Sequence, residues 1–463
     1  MSPETVPLAG LRSPRAATAP VGLAQVLKLY LAMAPARTVF EQMQCADGAW
    51  AEPDAQARFV SGVLRHPIAQ EYPPSAEYRK LLLRLYIDGV AKGCGSVEYD
   101  DDLMESYTAL CVAPSAPPSH EDLHGNEGPE RCFRTLFLAD DSALTLELRR
   151  GFGTESTGGT GAALWEAALV MSDFLYANQH LVAHKRVLEL GAGNGMLGVV
   201  LSRLGVCQSI VLSDHHPKVL NLMARNLRIN EVPVIQTWRP CLRHNAHADR
   251  LASAPDPATH SADAQAQTTG RGVESDPLFL CACEGCGPMA EGTGAGVVKV
   301  ALLDWAVCHS QLASPASVSV SFSAPGERGR AGTDAGVLRG GLEDLHRCGD
   351  VDLVLGADVS FDPDLIASLL ATMHRLLQRG GGTGYLAHSL RSTETLSFLR
   401  GEADRLGLQL EQVACYRVGD PRAGCPPRLM DRYRSLFVAT EVYIFRILLP
   451  AAAASPALTP LPL

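Results

Sequence analysis

The sequence predicts an α/β chain: a doubly wound, mostly parallel sheet of seven strands, preceded by a separate module made only of helices. Three observations carry this. Helical periodicity without strands fills the first 110 residues or so; strand and helix patterns alternate from Thr160 onward; and Gly191, Gly193, Gly195 and Gly198 follow directly on the first strand of the alternating part. Repeated βα units force parallel pairing, because a parallel crossover is long and right-handed and is most simply made by a helix.

In the first part, Leu23, Val26, Leu27, Tyr30, Leu31 and Ala34 recur at helical spacing. Tyr78, Leu81, Leu82, Leu85 and Tyr86 repeat the pattern behind Pro73-Pro74-Ser75, and a third short helix is expected over Asp102 to Cys111. Each has one apolar stripe that must be buried, so residues 1–112 are read as a helical N-terminal module. A stretch rich in Pro, Ser and Glu separates it from a second domain, residues 131–450. That domain opens with a hairpin from Phe133 to Leu148 around Ala139-Asp140-Asp141-Ser142.

A helix from Gly161 is expected to place Trp165, Ala168, Leu169, Ser172, Leu175 and Tyr176 on one side. Strands follow at Arg186 to Leu190, Ser209 to Ser213, Val297 to Leu303, Val351 to Gly356, Gly384 to His388, Leu408 to Arg417 and Glu441 to Leu448. The last two have no helix between them and read as an antiparallel pair closing the sheet. The best-marked helix begins with Asp362 as cap and Pro363 in its first turn, and ends at Gly380-Gly381-Gly382. Residues 235–293 and 312–343 lack apolar periodicity and are expected to be disordered insertions, with 451–463 a flexible tail.

Composition excludes several classes. Lys plus Arg is 40 and Asp plus Glu is 50 in 463 residues, a net charge of −10, which argues against direct nucleic-acid binding by phosphate neutralisation. Aromatic residues, at 6%, offer no evident platform for stacking bases. No apolar run approaches the ~18 residues of a membrane span. Thirteen scattered cysteines suit free thiols, so a cytoplasmic protein is expected, although Arg12, Ser13 and Arg15 leave a transit peptide open. Cys281, Cys283 and Cys286 have ligand-like spacing but no partner cluster, and no metal is expected. A monomer is expected.

The chemistry concentrates at Glu189-Leu-Gly191-Ala-Gly193-Asn-Gly195. Glycines after a strand let a ligand approach bare backbone where the next helix offers unpaired N–H groups. The pattern alone also fits a dinucleotide site, and Asp214 at the second strand's end would accept ribose hydroxyls in either case. Context favours a different ligand. An amphipathic stretch with Trp165 precedes the first strand, and later strands end in Asp304-Trp305 and Ala357-Asp358-Val-Ser-Phe361. Strand ends converge on one crevice in such a sheet, so indoles, a phenyl ring and carboxylates would face a flat heterocycle and a cation.

The run from Thr160-Gly-Ala-Ala-Leu-Trp165-Glu-Ala-Ala through Val-Leu-Glu189-Leu-Gly-Ala-Gly-Asn-Gly resembles the seven-β-strand, S-adenosylmethionine-dependent protein-lysine methyltransferases, which have a Rossmann-like class I sheet. Leu-Ser-Asp214, Leu-Asp304-Trp305 and Ala357-Asp358-Val-Ser-Phe361 extend the likeness, the last being similar to that family's D-x-x-Y/F signature. His66-Pro67, Tyr72-Pro-Pro-Ser75, Tyr78 and the Asp100–Tyr107 stretch resemble the helical extension of the elongation factor 2 lysine methyltransferase branch. The resemblance implies S-adenosylmethionine as cofactor. It implies that Gly191, Ala192 and Gly193 hold the cofactor's methionine part and ribose, Asp214 its ribose hydroxyls, and Trp165, Trp305 and Ala357 its pocket walls. Asp358 and Phe361 would sit toward the acceptor lysine, and the implied protein substrate is elongation factor 2. Alternatives are another protein or small-molecule acceptor, or a cofactor-binding adaptor without catalysis.

Overall fold

The structure, a computed structural model, describes residues 21–93, 98–112, 131–138, 141–149, 159–236, 298–303, 351–417 and 441–450, together with Leu429, Tyr433 and Leu436. The chain divides into two compact units. One is Met1–Thr145 with Tyr433–Leu436, and the other is Leu146–Arg432 with Phe437–Leu463.

The first unit holds α1 (Val21–Leu31), α2 (Ala36–Ala46), α3 (Pro53–Phe59) running into a π-turn (Val60–Leu64), α4 (Pro67–Glu71), α5 (Ala76–Gly93) and α6 (Asp101–Val112). The sequence reading found α1, α5 and α6 but passed over the helical residues 36–71. Their apolar positions are spread over short segments broken by Pro35, Pro53 and Pro67, so no long stripe forms. Packing supplies what periodicity lacked. Val26, Tyr30, Val39, Phe59, Val63, Leu82 and Tyr86 share one buried cluster.

β1 (Arg131–Phe137) and β2 (Ala143–Arg149) form a two-stranded sheet. The domain boundary expected before residue 131 falls after Thr145, because the hairpin's first strand joins the helical core. The Phe133 amide donates to the Pro73 carbonyl at 3.0 Å, the Phe137 amide to the Tyr433 hydroxyl at 2.6 Å, and the Phe137 ring lies in the helices' apolar cluster.

The second unit is built on one sheet of β3 (Arg186–Leu190), β4 (Ser209–Asp214), β5 (Val234–Gln236), β6 (Val298–Leu302), β7 (Leu353–Ala357), β8 (Thr383–Ser389), β9 (Gln409–Arg417) and β10 (Glu441–Leu448). Its order is β5-β6-β4-β3-β7-β8-β10-β9. Strands β5 through β8 pair in parallel, and β10 runs antiparallel between β8 and β9. All seven expected strands are present. The eighth, β5, is a three-residue edge strand where the first insertion was expected to begin at residue 235; the remainder of both insertions and the tail lie outside the described residues.

The helices between strands are α7 (Glu166–Ala177), α8 (Met196–Leu204), α9 (Pro217–Ile229), α10 (Pro363–Gly380) and α11 (Thr393–Arg405). Asp362 caps α10 as expected, its carboxylate accepting from the Asp364 amide at 3.0 Å, and Gly381 ends it at φ 60°. One expectation is corrected. The helix expected from Gly161 starts at Glu166, and Trp165 is its extended N-cap residue rather than part of its apolar face. Residues 159–162 instead form a single 3₁₀ turn, whose Thr160 carbonyl accepts the Trp165 indole N–H at 3.0 Å.

Strand order reverses between β3's neighbours: β4 and β6 lie on one side, β7 and β8 on the other. A doubly wound sheet opens a crevice outside the carboxyl ends of its strands at that switch point. Here those ends carry Gly191 after β3 and Asp358 after β7.

Candidate active site

The turn after β3 is held open by its backbone conformation. Gly191, Gly193 and Gly195 have φ of 62°, 54° and 83°, in the left-handed region that side chains other than glycine disfavour. A Cβ at Gly193 would stand 3.1 Å from the Gly161 carbonyl, and one at Gly195 would press 2.8 Å against the Met223 side chain. The two positions therefore need glycine for space as well as for φ. Asn194, buried between them, fixes the bend: its amide donates to the Ala163 carbonyl at 2.8 Å and its oxygen accepts the Met196 N–H at 3.1 Å.

A pocket lies against this turn, walled by Ala163, Trp165, Gly191, Ala192, Gly193 and Ala357 among others. It unites five of the residues expected from sequence. Asp214 joins them from the end of β4: one carboxylate oxygen accepts from the Gly193 amide at 3.2 Å and the other from the His216 amide at 3.1 Å. Trp305 and its neighbour Asp304 lie outside the described residues, as do Cys281, Cys283 and Cys286. Among the described residues no group of three or more His, Cys, Asp or Glu side chains is assembled to hold a metal.

Glu189, part of the glycine motif but given no role from sequence, also lines the pocket. It is 2% exposed, and its Oε2 has no hydrogen-bond partner. Burial, reinforced by the negative charge of Asp214, pushes its carboxyl well above the usual carboxylate range. A pocket with an unpartnered buried carboxyl and a second acid at the strand end suits a ligand carrying positive charge. S-adenosylmethionine carries both a sulfonium and an ammonium group, and the residues present fit it.

Asp358 and Phe361 stand beside this pocket rather than in its wall. Asp358 follows β7 in a left-handed conformation, φ 58°, unusual for a residue with a side chain, and its amide donates to the Ala387 carbonyl at 2.9 Å. Such strain persists only where the surroundings enforce it, and it concentrates at functional sites. The carboxylate is buried and engaged: Arg391 binds it through both nitrogens at 2.7 and 2.6 Å, and the Ser389 hydroxyl donates at 3.2 Å. The carboxylate expected toward the acceptor lysine is thus already held by a guanidinium.

Arg391, which sequence reasoning did not single out, ties this side of the site together. It also reaches Glu166 at 3.3 Å and lies 5.1 Å from the centroid of the Trp165 ring, within cation–π range. Its signal was available, namely a basic residue just past β8 facing an acid just past β7. Behind them, the Ser360 hydroxyl and His388 Nδ1 are 2.8 Å apart in the core, where burial pulls the imidazole pKa down and keeps it neutral. Phe361 is 43% exposed, a large ring left facing outward.

Comparison with known proteins finds relatives by sequence. Residues 146–244 match the family described as "Lysine methyltransferase". The protein-lysine N-methyltransferase EEF2KMT of Bos taurus is 24% identical over 361 residues, 76% of this chain and 78% of that protein. The protein-lysine N-methyltransferase EFM3 of Chaetomium thermophilum is 29% identical over 199 residues, 41% of this chain and 57% of that one. Among solved structures, a TehB-like SAM-dependent methyltransferase from Corynebacterium glutamicum is 12% identical, covers 60% of this chain and 88% of its own, and has a TM-score of 0.28. The lysine methyltransferase match starts at the first residue of the sheet unit and contains the glycine turn, so the likeness to lysine methyltransferases falls on the part of the chain that builds this pocket.

Proposed function

We propose that this chain methylates a lysine of elongation factor 2. The observation that carries the reading is the extent of its likeness to the Bos taurus EEF2KMT, 361 aligned residues against the 99 of the family match, so similarity continues beyond the methyltransferase core. His66-Pro67, Tyr72-Pro-Pro-Ser75, Tyr78 and the Asp100–Tyr107 stretch, which resemble the elongation factor 2 branch, are consistent with it. A cytoplasmic setting, where translation proceeds, belongs to the same proposal. No helix among the described residues is long and apolar enough to cross a membrane.

The cofactor, when bound, supplies an electrophilic methyl group on a sulfonium. This chain's part is binding, alignment and charge control. Gly191, Ala192 and Gly193 offer backbone that a side chain would block, Asp214 accepts hydroxyl hydrogens, and Glu189 offers a carboxyl to a cation. An acceptor lysine must lose its proton to react, against an ordinary pKa near 10.4. A free carboxylate beside it would raise that value and hold the amine charged; the Arg391 guanidinium cancels the Asp358 charge instead. Phe361 and Trp165 offer apolar walls that strip water from the amine, which favours its neutral form.

The test incubates the purified chain and elongation factor 2 with methyl-labelled S-adenosylmethionine and maps the product by mass spectrometry. The proposal expects label on one lysine of the factor and none with Gly191→Arg. Label on other proteins while the factor is spared would remove the substrate assignment. Cofactor binding with no transfer to any protein would favour an adaptor.

A further inference from the structure

A second cluster of unmet polar groups lies in the helical unit, and the methyltransferase chemistry uses none of it. Tyr78 and Arg79 stand in the first turn of α5, and Arg134 on β1. The Phe133 amide bonds the Pro73 carbonyl, which brings the strand alongside the segment leading into α5. Three donors are shut off from solvent with no partner: the Tyr78 hydroxyl, Arg79 Nε and Arg134 Nε. The Tyr30 and Tyr78 rings are 6.1 Å apart. Arg79 is within electrostatic reach of Tyr30, and Arg134 of Tyr78 and Cys132.

No carboxylate answers either guanidinium among the described residues. The groups near Arg134 are a thiol and a phenol, and Glu77, the acid in the same turn of α5, is exposed. Burying a cation without a counter-charge costs several kcal/mol in most proteins, and buried charges are accordingly paired. Burial pulls the Arg134 pKa down, while it pushes the Tyr78 phenol up and keeps it a proton donor. The cluster thus offers donors and positive charge and lacks an acceptor. Each of the three residues keeps part of its surface exposed.

We propose that Tyr78, Arg79 and Arg134 form a phosphate-binding site. A phosphate group carries close to two negative charges at neutral pH and several acceptor oxygens, which matches two unpaired guanidinium groups and a phenolic donor. Free inorganic phosphate and a phosphorylated side chain present the same group.

Equilibrium dialysis of the full chain against radiolabelled inorganic phosphate, at fixed ionic strength in sodium chloride, tests this directly. The proposal expects one phosphate per chain. Arg79→Gln and Arg134→Gln should each weaken binding about tenfold or more, and together abolish it. No uptake, or unchanged uptake by the double variant, would overturn it. A phosphoserine peptide that displaces the label more strongly than unlabelled phosphate identifies a phosphorylated side chain as the source; the reverse order identifies the free anion. Folding is controlled with Arg134→Met. In phosphate-free buffer it should melt no lower than the parent, because the parent's guanidinium is uncompensated there. A lower melting temperature would mean that Arg134 is already paired in the free protein, and the proposal would fail.

Discussion

Arg391 grips both carboxylate oxygens of Asp358 at 2.7 and 2.6 Å, across the gap between the ends of β8 and β7. Arg391 also lies 5.1 Å from the centroid of the Trp165 ring, which walls the cofactor pocket, and Asp358 holds a left-handed backbone at φ 58°. Removing one partner leaves the other buried or unbalanced. Arg391→Gln should cost the sheet unit about 1–3 kcal/mol in urea unfolding, and adding Asp358→Asn should recover much of it.

The same pair predicts a pH effect. With its guanidinium gone, the Asp358 charge raises the pKa of any amine nearby, so the rate–pH profile of Arg391→Gln should move to higher pH. Arg391→Lys should leave the profile close to the parent's while lowering the rate. An unshifted profile in Arg391→Gln would show that Asp358 does not act on the acceptor.

Gly193→Ala forces a left-handed φ on a residue with a Cβ and sets that Cβ 3.1 Å from the Gly161 carbonyl. The conformational penalty of about 1–2 kcal/mol corresponds to roughly a tenfold weaker cofactor affinity, measurable by calorimetry with S-adenosylhomocysteine.

Glu189 gives a prediction of opposite sign for stability and binding. Its folded pKa is raised, so above the ordinary carboxylate range the unfolded chain has released a proton that the folded chain retains, and stability falls as pH rises. Glu189→Gln removes that linkage. Without cofactor it should be more stable than the parent at pH 7, by about 1 kcal/mol or more, and flatter in its pH dependence above pH ~4.5. It should also bind S-adenosylmethionine more weakly.

Asp352 works the usual way. Arg186 binds its carboxylate through the side chain at 2.9 and 2.8 Å and through the backbone amide at 2.9 Å, and its pKa is lowered to about 2. Its stabilisation is complete above pH ~4 and fades as pH falls toward about 2. Asp352→Asn should lose up to about 1 kcal/mol at pH 7, the pair being partly exposed, and should show a shallower acid limb in a pH series of thermal melts.

Much of the sheet unit was legible because its signals are local. The β3 apolar run, the glycine turn, and the cap and stop of α10 each lie within a few residues. What escaped depends on tertiary contact. Trp165 looked like a residue of a helix face because its spacing fits, yet Thr160 holds its indole and the helix starts one residue later. Arg391 is 33 residues from Asp358 and meets it only because β7 and β8 are neighbours. Glu189 was visible as a letter of the motif, but its isolation from hydrogen-bond partners exists only in the folded pocket. The helices between Ala36 and Glu71 are short and are defined by one shared core rather than by stripes of their own.

Calorimetric titration of the full chain with S-adenosylmethionine and, separately, with NAD⁺ probes the pocket most directly. The glycine turn with Glu189 and Asp214 around it predicts one S-adenosylmethionine bound per chain, weakened by Gly193→Ala, and no heat from NAD⁺. Saturable binding of NAD⁺ that Gly193→Ala weakens, with none for S-adenosylmethionine, would contradict it.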